Sequence, residues 1–355
     1  MSTIKEVAEL AGVSIGTVSH VIGGSVPVSD HLRRKVVNAI RTLDYHPNHI
    51  ARSLKTRKTR TLGIVVPDMT IPFFPQVIRS AELAAHARGY AIIAVNSDDS
   101  TTRQKEVLSL LRSQRVDGIL LVIASGQGSQ AQVPKLIDSG IPVVCLDRLP
   151  DRIEVDSVCV EDCAAADMGV SHLLSLGHTR IAVLTGPLTL KNERERLRGY
   201  ESALKRAGIA PAASLVWETK LQQEDVIRTC KQKLLGSMKR PSALFSTNGV
   251  TGLGALRGMA ACKLSTPDDI AFVTFDELTA EDIFHPAITS VVQPAYEIGY
   301  RAAEILMERI KSGSNTGPRI AVRLPATLKI RESSVSHRVG AAPVRSASLR
   351  ARARG

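Results

Sequence analysis

Between residues 62 and 275 the chain alternates short apolar runs with longer stretches of helix-like pattern, and this rhythm restricts the fold more than any other feature. The runs are Leu62–Val66, Ala91–Val95, Ile119–Ile123, Pro142–Leu146, Ile181–Leu184, Ala243–Phe245 and Ile270–Phe275. Each is of strand length and too uniformly apolar to present one face to water, so each predicts a strand buried on both faces. Strands that alternate with helices predict parallel sheets with helices on both sides, an α/β fold. The 274 residues from 61 to 334 exceed one comfortable doubly wound sheet, so two are expected, dividing near residue 160. Gly177-His178-Thr179-Arg180 leads into the first strand of the second half.

Ligands of such sheets bind beyond the carboxyl ends of the strands. The residues found there are Pro67-Asp68, Asn96, Asp147-Arg148, Thr185-Gly186, Thr247-Asn248 and Asp276. Polar groups gathered at strand ends suit a ligand site, but Asp and Asn are also the ordinary residues of turns and helix caps. Position alone leaves both readings open.

The net charge of +12 is unevenly spread. Residues 1–60 hold ten basic and four acidic residues, net +6; residues 335–355 hold five arginines and no acid; residues 61–334 are nearly neutral at +1. A basic head on a neutral body points to a polyanionic partner, nucleic acid first, because clustered Lys and Arg gain from counterion release. The arginine, alanine and serine tail at 335–355 reads as disordered. No apolar run reaches the ~20 residues of a membrane helix, and Met1 to Leu10 lacks the apolar core of a signal peptide, so a cytoplasmic protein without a membrane partner is expected. The five cysteines are odd in number and form no C-x-x-C pair, which predicts buried free thiols and no metal site.

Within the head, Thr3-Ile4-Lys5-Glu6 fits a capping box, and Ile4, Val7, Ala8 and Ala11 make one helical stripe that Gly12 ends. Ser14 can cap a second helix with Val18, Val21 and Ile22 inward and Ile15, Gly16, Thr17, Ser19 and His20 outward, broken by Gly23-Gly24. Ser29 and Asp30 open a third, with Leu32, Val36, Ile40 and Leu43 on one face. Two short helices joined by a glycine-containing turn and braced by a third predict a helix-turn-helix, whose small polar outward face fits a major groove.

Thr3-Ile4-Lys5-Glu6-Val7-Ala8, Ala11-Gly12-Val13-Ser14, Thr17-Val18-Ser19-His20-Val21-Ile22, Tyr45-His46-Pro47-Asn48 and Ala51-Arg52-Ser53-Leu54 together closely resemble the lactose-repressor family of bacterial transcription regulators. The resemblance extends over residues 2–334 and implies a helix-turn-helix head at 1–46 and a hinge helix and linker at 47–60. A two-lobed, periplasmic-binding-protein-like body follows at 61–334. In it, lobe 1 takes residues 61–160 plus 293–324 and lobe 2 takes 161–292 plus 325–334, with the chain crossing back near Thr289 to Gln293. The resemblance also implies a homodimer on double-stranded operator DNA whose grip is set by a small sugar, sugar acid or similar metabolite.

By the same resemblance, the DNA contacts fall on Thr3, Ser14, Ile15, Gly16, Thr17, Ser19, His20, Asn48, Ala51, Arg52, Leu54 and Lys55, with Leu54 a minor-groove wedge in a hinge that folds on the operator. The residues themselves agree: Pro47 presets the backbone, and a seven-residue helix is too short to persist alone. The effector contacts fall on Phe73, Phe74, Arg148, Arg196, Asn248 and Asp276, and Asn96 joins them by its place at a strand end. Five positions depart from the family pattern: His20 where most members have arginine, Gly23 and Gly24 in place of an asparagine region, Ile71 for asparagine, and Gly249 for aspartate.

Two rival readings are weighed. Gly126-Gln127-Gly128-Ser129-Gln130-Ala131 after an apolar strand matches G-x-G-x-x-A, with Asp147 about 20 residues on, the pattern of an NAD(H)-responsive regulator or a dinucleotide-binding enzyme. A transport binding protein shares the two-lobed body but needs an export signal and no DNA-reading head. No Ser/His/Asp or metal-ligand constellation stands out, so no catalytic residue, metal or cofactor is expected.

Overall fold

The computed structural model describes residues 2–23, 26–45, 58–236, 239–278, 285–313 and 317–335. The chain divides into two compact units, Met1–Thr59 and Arg60–Gly355.

The first unit contains α1 (Ile4–Ala11), α2 (Ile15–Gly23) and α3 (Asp30–Thr42). Thr3 starts α1 with both bonds of a capping box, and Gly12 ends it in the left-handed region at φ 62°, which a glycine adopts without Cβ strain. Ser14 Oγ accepts from the Thr17 amide at 3.1 Å and so caps α2. Ser29 occupies the cap position of α3 but makes no side-chain capping bond. The three helices close over six buried side chains, Val7, Ala8, Ala11, Val18, Val36 and Ala39, ringed by half-buried Ile4, Val21, Ile22, Ile40 and Leu43.

The second unit holds two six-stranded sheets. The first contains β1 (Thr61–Val66), β2 (Ala91–Asn96), β3 (Gly118–Leu121), β4 (Val143–Leu146), β5 (Asp156–Val160) and β11 (Ala321–Leu324), in the order β11-β5-β4-β3-β1-β2. The second contains β6 (Ile181–Thr185), β7 (Val216–Glu218), β8 (Ala243–Ser246), β9 (Ala271–Phe275), β10 (Thr289–Val292) and β12 (Thr327–Lys329), in the order β12-β10-β9-β8-β6-β7. All neighbours run parallel except β10 and β12. The chain passes from one sheet to the other after β5, after β10 and after β11.

Strand alternation explains why the central runs are apolar throughout. Leu62, Ile64 and Val66 enter one core cluster while Val65 enters another; Val144 and Leu146 divide in the same way from Val143 and Cys145. In the second sheet Ile181 and Val183 face one core, Ala182 and Leu184 the other. Both faces are covered by helices, so every position is dry, and truncating one such leucine to alanine costs about 2–5 kcal/mol. The covering helices are α4 (Phe73–His86), α5 (Thr101–Ser113), α6 (Gln132–Asp138), α7 (Asp162–Ser175), α8 (Lys191–Arg206), α9 (Gln223–Leu235), α10 (Gly249–Ala261) and α11 (Ala295–Ser312). Helices α4 and α11 pack side by side, closely enough that a Cβ on Gly299 would lie 2.1 Å from the Val77 carbonyl oxygen.

Five strands have no counterpart among the seven apolar runs: β5, β7, β10, β11 and β12. In β5 the reason is Asp156, buried in the sheet because Arg309 grips its carboxylate through Nε at 2.7 Å and Nη2 at 2.8 Å. A residue 153 positions away neutralises it, which no local pattern reveals. The five thiols are all free, but Cys163 and Cys262 are only half-buried, not buried as the sequence suggested.

Candidate functional site

On the head, α2 presents Ile15, Gly16 and His20 to solvent, with Thr17 and Ser19 half-buried and Val18 turned into the core. The Ser14 and Thr17 hydroxyls bond each other at 2.9 Å, and Thr3 is engaged with Glu6. Thr3, Ser14 and Thr17 therefore shape the helix ends as well as lying near its outer face. Asn48, Ala51, Arg52, Leu54 and Lys55 lie outside the described residues.

Because the strands of each sheet are parallel, their carboxyl ends share an edge, and between those edges lies a cleft of about 490 Å³. Its walls come from both sheets: Asp68, Thr70, Ile71, Pro72, Asp98, Asp99 and Arg148 follow strands of the first, Leu221, Gln223, Gly249, Val250, Leu253 and Leu278 strands of the second. Three carboxylates face one guanidinium, with an apolar floor between. Asp98, Asp99, Asp147 and Asp276 all sit at positive φ, 52°, 50°, 54° and 70°. Aspartate enters this strained region more readily than most residues, and such strain gathers at ligand sites.

Of the seven residues expected to hold an effector, Arg148 lines the cleft directly. Its Nη1 donates to Asp99 Oδ1 at 2.5 Å and to the Ile123 carbonyl at 3.3 Å. Asp276 and Asn248 flank Gly249 on the opposite wall. Asp276 Oδ2 accepts from the Gly249 amide at 3.2 Å and Oδ1 from Gln293 Nε2 at 2.7 Å, while Asn248 caps α10 through the Thr251 amide at 2.9 Å. Arg196 is fully buried among acids. Its Nε donates to Asp162 Oδ1 at 2.7 Å and Nη1 to the Thr247 carbonyl at 2.7 Å, Nη2 lies 3.4 Å from Asp147 Oδ1, and the guanidinium sits 3.8 Å above the Phe275 ring. Asn96 Oδ1 accepts from the Met69 amide at 2.9 Å, bracing the loop that carries Asp68 and Thr70. Phe73 and Phe74 form an edge-to-face pair in the core at the start of α4, and Ile71 and Pro72 before them line the cleft.

Glu193, which the sequence does not single out, ties this network together. Its carboxylate accepts from the Gly186 amide at 2.9 Å, the Thr247 hydroxyl at 2.5 Å and Asn248 Nδ2 at 2.9 Å. Asp147, Asp162, Glu193 and Asp276 thus surround one arginine. Burial pushes the Asp162 carboxyl up to about 7 against the pull of Arg196, and burial likewise raises Asp276. For Arg196 burial opposes the charge, but the surrounding carboxylates outweigh it and raise its pKa. Asp162, Glu193, Asp68, Asp98 and Asp99 carried one signal in the sequence, their place just beyond apolar runs or in a helix's first turn, which they share with many ordinary turn residues.

The glycine loop at 126–128 does not form a dinucleotide cradle. A Cβ on Gly126 would lie 2.1 Å from Thr101 Oγ1, so the close approach serves the protein's own helix α5. Gln104 bonds the loop to the Ala124 amide and the Ser129 carbonyl, both at 2.8 Å, and Asp147 belongs to the Arg196 network. Only a seven-residue helix, α6, follows.

Comparison with known proteins agrees with both halves of this geometry. Residues 3–48 match the bacterial regulatory proteins of the lacI family, and residues 170–334 match the periplasmic binding protein-like domain. The chain is similar to the ribose operon repressor of Escherichia coli (strain K12), 33% identical over 310 residues that cover 87% of this chain and 93% of that protein. Among solved structures it resembles the transcriptional regulator CelR in complex with cellobiose, at 30% identity and TM-score 0.69, covering 94% of this chain and 100% of that one. It also resembles the lac repressor dimer bound to operator and the anti-inducer ONPF, at 26% identity and TM-score 0.79, covering 94% and 99%. Head, two-sheet body and cleft together place this chain in the lacI family of DNA-binding transcriptional repressors with a metabolite-responsive body.

Proposed function

We propose that the chain works as a homodimeric repressor whose cleft takes a neutral polyhydroxylated effector, a sugar, in preference to a sugar acid. The observation that carries this reading is that both arginines near the cleft are already paired: Arg148 with Asp99, and Arg196 with Asp162 and Asp147. Asp68, Asp98 and Asp99 leave the lining net negative against Arg148. Carboxylates accept hydrogen bonds from hydroxyls and repel a second carboxylate, so hydroxyl-rich neutral ligands fit and acids do not. The two similar proteins named for ribose and cellobiose are consistent with that class.

On this reading the head reads DNA with Ile15, Gly16, Thr17, Ser19 and His20 of α2, and residues 47–60, including Asn48, Ala51, Arg52, Leu54 and Lys55, link it to the body. The lobes are 61–160 with 293–324 and 161–292 with 325–334. Effector bound between them alters the spacing of the two heads on a pseudo-palindromic operator; the similar lac repressor binds its operator as a dimer. A repressor of this kind works in the cytoplasm, and no helix among the described residues is long and apolar enough to cross a membrane.

Calorimetry with ribose, cellobiose and gluconate tests the effector class: a neutral sugar binds and gluconate does not. Gluconate binding tighter than every neutral sugar overturns it. His20→Ala is expected to change base preference at one position of each half-site by about 1–3 kcal/mol, read from binding-site selection.

A further inference from the structure

Two further cavities, of about 350 and 200 Å³, share none of the cleft's lining residues and adjoin each other through Leu149, Lys191 and Arg323. The larger is lined by Lys191, Arg319 and Arg323 against a single carboxylate, Glu154. None of these three cations is engaged in an ion pair among the described residues. Arg323 Nη1 reaches only the adjacent Val322 carbonyl, at 3.4 Å. In the cleft, by contrast, every arginine already has its acid.

The end of a helix at the same place reinforces the positive field. Lys191 is the first residue of α8, a sixteen-residue helix whose cap residue Leu190 offers no side-chain bond, so the amides of its first turn add their partial charge. The next residue, Asn192, is 4% exposed and lines the smaller cavity, and its Oδ1 has no hydrogen-bond partner.

We propose that the larger cavity forms a second ligand site, distinct from the cleft, for a phosphate monoester of a small polyol. The phosphate sits against Lys191, Arg319 and Arg323, away from Asp147, Glu161, Asp162 and Glu195, which line the smaller cavity. Lys191 and Asn192 belong to a helix of the second-sheet half, whereas Arg319 and Arg323 precede and lie within β11 at the edge of the first sheet. The ligand therefore bridges the two halves. Lys191 stands two residues before Glu193 of the effector network, so occupancy here is close in the chain to the cleft's organising carboxylate. The site stands independently of which sugar the cleft takes.

The test is calorimetry on the full chain without DNA, at constant ionic strength, with glycerol 3-phosphate, inorganic phosphate, glycerate and glycerol as probes. Glycerol 3-phosphate is expected to bind most tightly, inorganic phosphate more weakly, and glycerol not at all. The double variant Arg319→Gln/Arg323→Gln, altered at one half-buried and one exposed side chain, is expected to keep its melting temperature and weaken glycerol 3-phosphate binding about tenfold or more. Glu154→Gln, which removes the opposing carboxylate, is expected to tighten it. Equal affinity in the double variant and the parent overturns the proposal, because the phosphate then sits on the basic head or in the cleft. Loss of binding in Asp276→Asn to the same extent overturns it too. So does glycerate binding as tightly as the phosphate ester, or no heat from any probe up to roughly 10 mM.

Discussion

In the head, Ile15, Gly16 and His20 stand in solvent on a short helix, whereas in the body Arg196 and Asp276 are buried, Asn248 is half-buried, and each is already hydrogen-bonded. On the proposed reading, in which the first group meets operator DNA and the second a metabolite, the difference follows from what each surface meets. Duplex DNA brings a long, stiff array of donors and acceptors, so the reading side chains can wait exposed and be ordered by it. A small metabolite offers few contacts and cannot also order a loose pocket, so its site must be held in shape beforehand. Holding it in shape requires buried charge, and buried charge makes the body's site far more sensitive to substitution than the head's.

The sharpest break of this contrast is Arg196→Ala. It leaves Asp147, Asp162, Asp276 and Glu193 without their shared cation in a dry site. Removing one partner of a buried ion pair costs about 3–5 kcal/mol, a large part of an ordinary domain's stability. Urea unfolding of the body followed by Trp217 fluorescence is expected to shift by that amount while the head's helical signal melts as before. A loss under about 1 kcal/mol would mean that the acids are not held as charges by Arg196.

The same network makes the body's stability depend on pH. Asp162 titrates near 7 in the folded body and near the ordinary carboxyl value when unfolded. Between those values the folded state binds more protons than the unfolded state, so stability falls as pH rises from about 4 to 7, by up to ~1.4 kcal/mol per pH unit for one group. Asp276, also raised, adds in the same direction. Melting temperatures between pH 5 and 7.5 are expected to decline for the parent chain. For Asp162→Asn they are expected to start lower and decline less. Parallel slopes in the two proteins would show that another group carries the proton.

How far each surface was legible follows from the same physics. The head is local: the Thr3–Glu6 capping box, the Gly12 stop and the Val18 stripe are each set by residues within four positions of one another, so sequence spacing predicts them. The central strands were legible because a strand dry on both faces is apolar at every position. β5 was not, because Asp156 depends on Arg309. In the cleft, strand ends pointed to Asp68, Arg148, Asn248 and Asp276. The partnering of Arg196 with Asp162, 34 positions away, and of Asn248 with Glu193, 55 away, exists only once the two sheets fold. The G-x-G-x-x-A spacing misled for the same reason: its glycine serves Thr101, a contact that spacing cannot show.

A smaller effect sharpens the contrast from the head's side. Among its described residues only six side chains are buried, so helix ends carry a larger share of its stability. Thr3→Ala removes one bond of the capping box and is expected to cost about 1 kcal/mol, seen as a lower melting temperature of the head's helical signal with the body's transition unmoved. An unchanged head would place its stability in the core alone.

The smallest expected effect lies in the body at a half-exposed ion pair that joins its two halves. Arg194 Nη2 meets Asp151 Oδ1 at 2.6 Å, with the two side chains 39% and 38% exposed, and the same arginine also holds the Leu188 and Thr189 carbonyls at 2.9 Å. Asp151 follows a strand of the first sheet and Arg194 lies on α8 of the second half, so the pair spans the two halves as the Arg196–Asp147 contact does. Water surrounds it, and screened pairs contribute under about 1 kcal/mol. Asp151→Asn is accordingly expected to leave urea stability within that range, where Arg196→Ala does not. If the two substitutions cost the same, burial is not what separates the cleft's chemistry from its surroundings, and the contrast between an exposed reading face and a pre-paired ligand site loses its physical basis.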